Sequence, residues 1–173
     1  MKQAIVLAAV VLSSVGVFAQ ETKNPVSTVI REILPRQQKN LVAAAEEMPA
    51  DKYGYKPTEP QMSFAKLVMH IAESNNHLCA KISDSTEPKT ELKETDGKDK
   101  LVAALKGSFD FCTTALAKVD DSTLGDTVEL YGGRKGPRAF AVFALAMDWT
   151  DHYSAAAMYL RLNGMLPPTA QKK

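Results

Sequence analysis

The feature that most constrains this chain is four long stretches in which apolar residues recur at helical spacing, with no sustained alternating run between them. Val26, Val29, Ile30, Ile33, Leu41, Ala44 and Ala45 keep that spacing in the first stretch. Phe64, Leu67, Ile71, Leu78 and Ile82 keep it in the second, and Leu101, Leu105, Phe109, Cys112 and Leu116 in the third. The fourth runs from Pro137 through Phe140, Met147, Trp149 and Leu160 to Leu162, where Gly164 and Pro167-Pro168 stop it. Four amphipathic helices, each with one stripe to bury, argue for an all-α four-helix bundle. Local signals set the ends: Asn24-Pro25 starts the first helix, with Asn24 as its expected side-chain cap, and Ser63 caps the second. Pro35 interrupts the first pattern and predicts a kink or break. Residues 49 to 61 read as an extended linker and 84 to 97 as a solvated connector. Thr127 to Tyr131 alternates like a short strand before the turn Gly132-Gly133-Arg134-Lys135-Gly136.

The first nineteen residues stand outside that pattern. Lys2, the apolar run Ala4 to Leu12 and the small-residue sequence Val17-Phe18-Ala19 have the form of a secretory signal peptide cut before Gln20. The expected division is therefore a signal peptide over 1–19 and one bundle domain over 20–173. The product would be exported to the periplasm or the exterior, with no stable membrane insertion once the signal is removed. The whole chain carries 21 Lys+Arg against 20 Asp+Glu, and the mature chain would be balanced. That balance excludes a nucleic-acid binder that relies on a basic face. Arg134, Lys135 and Arg138 form the one basic cluster, read as a solvated turn.

Chemistry centres on three histidines. Asp148 and His152 are four residues apart, so they share a helix face, and one imidazole from a facing helix would complete a three-ligand site with an open position. His70 is the better partner by position, because it lies inside the apolar run Leu67 to Ala72, whereas His77 follows Ser74-Asn75-Asn76 nearer the helix end. The two are roughly 10 Å apart along the helix, so both cannot bind one ion. Spacing alone leaves open that these are ordinary hydrogen-bonded imidazoles and capped or solvated acids.

Four segments, in order, resemble the DinB/YfiT-like superfamily of metal-binding four-helix bundles. They are Met48-Pro49-Ala50-Asp51-Lys52-Tyr53 with Lys56-Pro57; Ser63 to Ile71; Asp148-Trp149-Thr150-Asp151-His152-Tyr153; and Tyr159-Leu160-Arg161-Leu162-Asn163-Gly164 before Pro167-Pro168. The resemblance implies metal ligands at His70, Asp148 and His152, with Asp148 where the family usually has His. A carboxylate still suits zinc, nickel, manganese or iron. Asp151 points about 100° away and falls outside the ligand set. Trp149 and Tyr153 are read as packing or rim residues. The resemblance further implies an up-down-down-up helix order with a long crossover between helices 2 and 3. The 14 residues from 84 to 97 can reach roughly 46 Å, enough for that crossover. Cys79 and Cys112 would then lie near the same end and form a disulfide, which an ordinary antiparallel hairpin would forbid.

The function implied is a metal-dependent enzyme of the hydrolase or transferase class acting on a small molecule. The alternative is a non-catalytic module that binds a metal or small ligand. Relatives also suggest pairing as a homodimer.

Overall fold

The computed structural model describes residues 23–171, so the expected signal peptide lies outside the described residues. The four expected helices are present: α1 (Pro25–Glu47), α2 (Phe64–Ser83), α3 (Lys98–Leu116) and α4 (Arg138–Leu162). A two-stranded antiparallel hairpin, β1 (Thr127–Glu129) and β2 (Lys135–Pro137), sits between α3 and α4. Its register pairs Val128 with Gly136. Gly136 leaves room for the Leu130 side chain, whose terminal methyl would have to move if a Cβ stood there, at 2.9 Å.

Side-chain contacts fix the helix directions. Asn75 meets Ser108 and Cys79 meets Cys112, so α2 and α3 advance together and are parallel. Arg31 donates to the carbonyls of Leu116 and Val119, which sets the start of α1 against the end of α3. His70 lies beside His152 and Arg138 beside Ile82, so α4 runs antiparallel to α2. The order is up-down-down-up. The connector after α2 returns along the bundle, and Glu94 accepts from the Ser63 hydroxyl at the start of α2.

The core is the union of the four stripes, with Leu41, Phe64, Ile71, Leu105, Phe109, Leu145, Trp149 and Leu160 fully buried. Cys79 and Cys112 are bonded, with their Cα atoms 5.2 Å apart. Ser63 caps α2 as expected, accepting from the Lys66 amide at 3.0 Å.

Four local expectations change. Helix α1 passes through Pro35 without a break. The ring removes one backbone donor, but Ile30 and Leu34 before it and Gln37 and Leu41 after it are all buried, so packing keeps both halves in one continuous helix. The first turn of α1 is capped across space rather than by Asn24: the Asp121 carboxylate accepts from the Val26 and Ser27 amides, each at 2.8 Å. Asn24 instead accepts from the Asp121 amide. Residues 49 to 61 form turns, including a 3-10 turn at Ala50–Lys52, rather than an extended linker. Tyr53 pins them by donating to the Ala45 carbonyl at 2.6 Å.

Arg138 is the fourth. It is 5% exposed and not part of a solvated basic turn. Its guanidinium donates to the carbonyls of Lys81, Ile82 and Thr123 and pairs with Asp84 at 2.6 Å. Carbonyls at a helix C-terminus lack amide partners, and a buried cation satisfies them while complementing the helix dipole.

Candidate metal centre

The seam between α2 and α4 brings His70, Asp148 and His152 together, with one ligand atom from each lying within 4.8 Å of the others. The helical spacing of Asp148 and His152 puts both on the face that meets α2, and the antiparallel crossing brings His70 up to them. The two imidazole rings are 4.9 Å apart, centroid to centroid. His152 Nδ1 is 2.6 Å from the Asp148 carbonyl oxygen. A carbonyl can only accept, so Nδ1 carries the hydrogen and Nε2 keeps its lone pair.

The electrostatics favour a cation. Burial pushes the Asp148 carboxyl above its ordinary range, against the opposing pull of His152 and His70. Burial and the neighbouring His152 push the His70 imidazole down. Asp148 Oδ2 is buried with no hydrogen-bond partner. Such an atom carries a desolvation cost that protein contacts leave uncompensated here. Two neutral imidazoles and one carboxylate are the donor set that a divalent transition metal accepts, so the residues fit the ion.

The other titratable candidates are placed elsewhere. His77 lies two turns along α2 from His70, outside the triad; its Nδ1 is 3.0 Å from Glu87 and its ring stacks on Tyr131 at 4.4 Å. Asp151 is exposed, outside the ligand set. Trp149 is fully buried and donates to Asn75 at 2.7 Å, and the Tyr153 hydroxyl donates to Thr169.

The sequence model of the DinB superfamily matches residues 33–153. The chain belongs to the DinB superfamily. Solved structures agree on the fold. A DinB-like protein from Bacillus subtilis is 22% identical, with a TM-score of 0.67 over 83% of this chain and 99% of that one. A DinB-like protein from Bacillus cereus is 12% identical, with a TM-score of 0.68 over 80% and 93%. A mutant of the mycothiol-dependent maleylpyruvate isomerase gives 11% and 0.61, over 74% of this chain and 59% of that one. No curated protein sequence matches the chain.

Two features around the site escaped the sequence reading. Ser74, Asn75 and Asn76 are all buried, not a polar fringe near the helix end. The signal was there for Asn75, which continues the stripe from Ile71 to Leu78 and Ile82. Tyr131 is the second. It sits at the tip of the β1–β2 hairpin and reaches back to His77 on α2, which no local spacing announces.

Proposed function

We propose that this DinB-superfamily protein is an exported metalloprotein that holds one divalent transition metal on His70, Asp148 and His152 and acts on a small molecule there. The observation that carries this reading is the buried, unpartnered Asp148 oxygen beside two imidazoles. Bound there, zinc, nickel, manganese or iron would supply Lewis-acid polarisation of a ligand oxygen. The chain's own residues do the rest. The Asp148 carbonyl fixes the His152 tautomer, and burial keeps His70 neutral and able to donate its lone pair. The reaction class that fits is hydrolysis or group transfer. A similar fold occurs in an isomerase that depends on a small thiol, but small thiols are chiefly intracellular reductants, so export favours hydrolysis.

Export itself is supported by the N-terminal pattern and by the Cys79–Cys112 disulfide, a bond that persists in oxidising compartments. Among the described residues no helix is long and apolar enough to cross a membrane. Pairing of two copies is supported by an apolar groove of about 310 Å³ between α1 and α4, lined by Val26, Val29, Ile33, Phe143 and neighbours. Phe143 in its wall and Met147 one turn further along α4 are 58% and 62% exposed, so the groove belongs to a wider apolar face that a second copy could cover. A non-catalytic ligand-binding module is the second reading, and it shares the ion and the groove.

Metal analysis of protein purified without a histidine tag tests the proposal. About one equivalent of transition metal is expected, and less than about a tenth of an equivalent under non-chelating conditions would remove the metalloprotein reading.

A further inference from the structure

The His77 ring stacks on Tyr131 with centroids 4.4 Å apart and planes at 24°, and its Nδ1 is tied to Glu87 on the crossover. Three separate elements thus converge at His77, two turns along α2 from His70: α2, the crossover and the hairpin tip. The turn is built to bring Tyr131 back onto α2, with Gly132 and Gly133 both left-handed at φ 67° and 74°. Adjacent left-handed positions strongly favour glycine, so the sequence Tyr-Gly-Gly is fitted to this fold-back. The Ser74 side chain and the Asp148 carboxyl both lie close enough to the phenol to act on it. Ser74 is one turn along α2 from His70 and on the same face. Tyr131 is nonetheless 53% exposed, so its ring is not core packing.

We propose that Tyr131 is the ligand-binding residue of the metal centre, donating its phenol hydrogen to one oxygen of a small carboxylate whose other oxygen takes the ion's open position. His77 is the positioning residue that holds the phenol there. The inference rests on the metal reading above. Length supports it: a metal–oxygen bond of about 2 Å, a carboxylate bite of about 2 Å and a hydrogen bond of about 2.7 Å together reach at most roughly 7 Å, enough to cover the rise of about 5.4 Å in one helical turn. Charge supports it as well. A dication facing two neutral imidazoles and one carboxylate keeps a net positive charge that a carboxylate ligand complements. Glu87, the nearby acid on the crossover, is engaged by His77. Burial, Asp148 and Glu87 raise the phenol's pKa despite the Ser74 contact, so it remains a donor at neutral pH.

The test loads the full mature protein with Co(II) and titrates acetate, following the visible spectrum of the ion. In wild type, acetate should change the spectrum saturably. Tyr131→Phe keeps the ring and its stack, so Co(II) affinity should stay within about twofold while acetate binds about five- to tenfold more weakly, the worth of one hydrogen bond. His77→Ala should weaken acetate without weakening Co(II). The double variant should be no worse than Tyr131→Phe alone, because His77 acts through the phenol. Unchanged acetate affinity in Tyr131→Phe, loss of Co(II) from that variant, or no acetate response in loaded wild type overturns this inference and leaves the metal reading standing. Additive losses in the double variant overturn the role of His77. Failure of wild type to take up Co(II) brings down both readings.

Discussion

The two sides of α2 treat polar groups in opposite ways. On the side facing α3, Asn75 is fully buried and every contact is answered: its amide donates to Ser108, its oxygen accepts from Trp149, and its carbonyl lies 3.4 Å from Cys112 Sγ. The disulfide one turn further on closes that side covalently. On the side facing the α4 seam, His70 and Asp148 are partly buried and pushed toward their neutral forms, and one carboxylate oxygen has no partner. The first arrangement makes the bundle unique. The second costs stability in the metal-free chain, and sites that sacrifice local stability are where function is expected.

The sharpest way to break the comparison is to remove the covalent closure. A disulfide spanning 33 residues restricts the unfolded chain by roughly 4 kcal/mol in the loop-entropy description. The double variant Cys79→Ala/Cys112→Ala should lose about that much in urea unfolding while still binding metal, because neither sulfur touches the triad. Unaltered stability would mean that the α3 side of α2 is not the structural side.

The converse experiment is next in size. His70→Ala, Asp148→Ala and His152→Ala should each weaken metal binding at least about a hundredfold, roughly 3 kcal/mol, with His77→Ala close to wild type. Competition with a chromophoric chelator measures it. Loss in His77→Ala would place the ion further along the α2 face than the triad.

Asn75→Ala sharpens the same contrast at about 2 kcal/mol. It leaves the Trp149 indole hydrogen buried without an acceptor and deprives Ser108 of a donor. Denaturant unfolding of the metal-loaded and metal-free forms should show the same loss in both. A loss confined to the loaded form would mean that Asn75 serves the ion, not the core.

This division also explains what was legible in the sequence. The four stripes, the Ser63 cap and the Asp148/His152 spacing are local regularities, and each is written within a few residues. The resemblance carried what lies beyond local pattern: the crossover and the disulfide. What stayed hidden depends on contacts between distant segments. Asp121 caps α1 from the far end of α3, Arg138 closes the end of α2, and Tyr131 folds back onto His77. The break that Pro35 predicts is absent because burial on both sides of it, which propensity ignores, holds α1 in one piece. Arg138 was misread because its neighbours in sequence are exposed while its neighbours in space are carbonyls.

The smallest expected effect is the one that most directly weighs the α4 seam. In the metal-free protein burial raises the Asp148 carboxyl above its unfolded value near 4. A raised acid binds its proton more tightly when folded, so its favourable contribution is complete below about pH 4 and is lost as pH rises through the folded value. At pH 7 the wild type therefore holds an uncompensated carboxylate, whereas Asp148→Asn holds a neutral amide of the same shape. In EDTA at pH 7 the variant should be more stable by the order of 1 kcal/mol, and the difference should shrink toward zero near pH 3. His70 has the opposite sign: its lowered value makes the folded state resist protonation, so its contribution is complete above the ordinary imidazole range and falls as the solution is acidified. It is present in both proteins and largely cancels in the difference. Saturating metal should reverse the ranking, because binding to the native state stabilises only the protein that keeps its third ligand. If Asp148→Asn is instead less stable in EDTA at pH 7, Asp148 serves the fold as the partner of His152, and the two sides of α2 differ in degree rather than in kind.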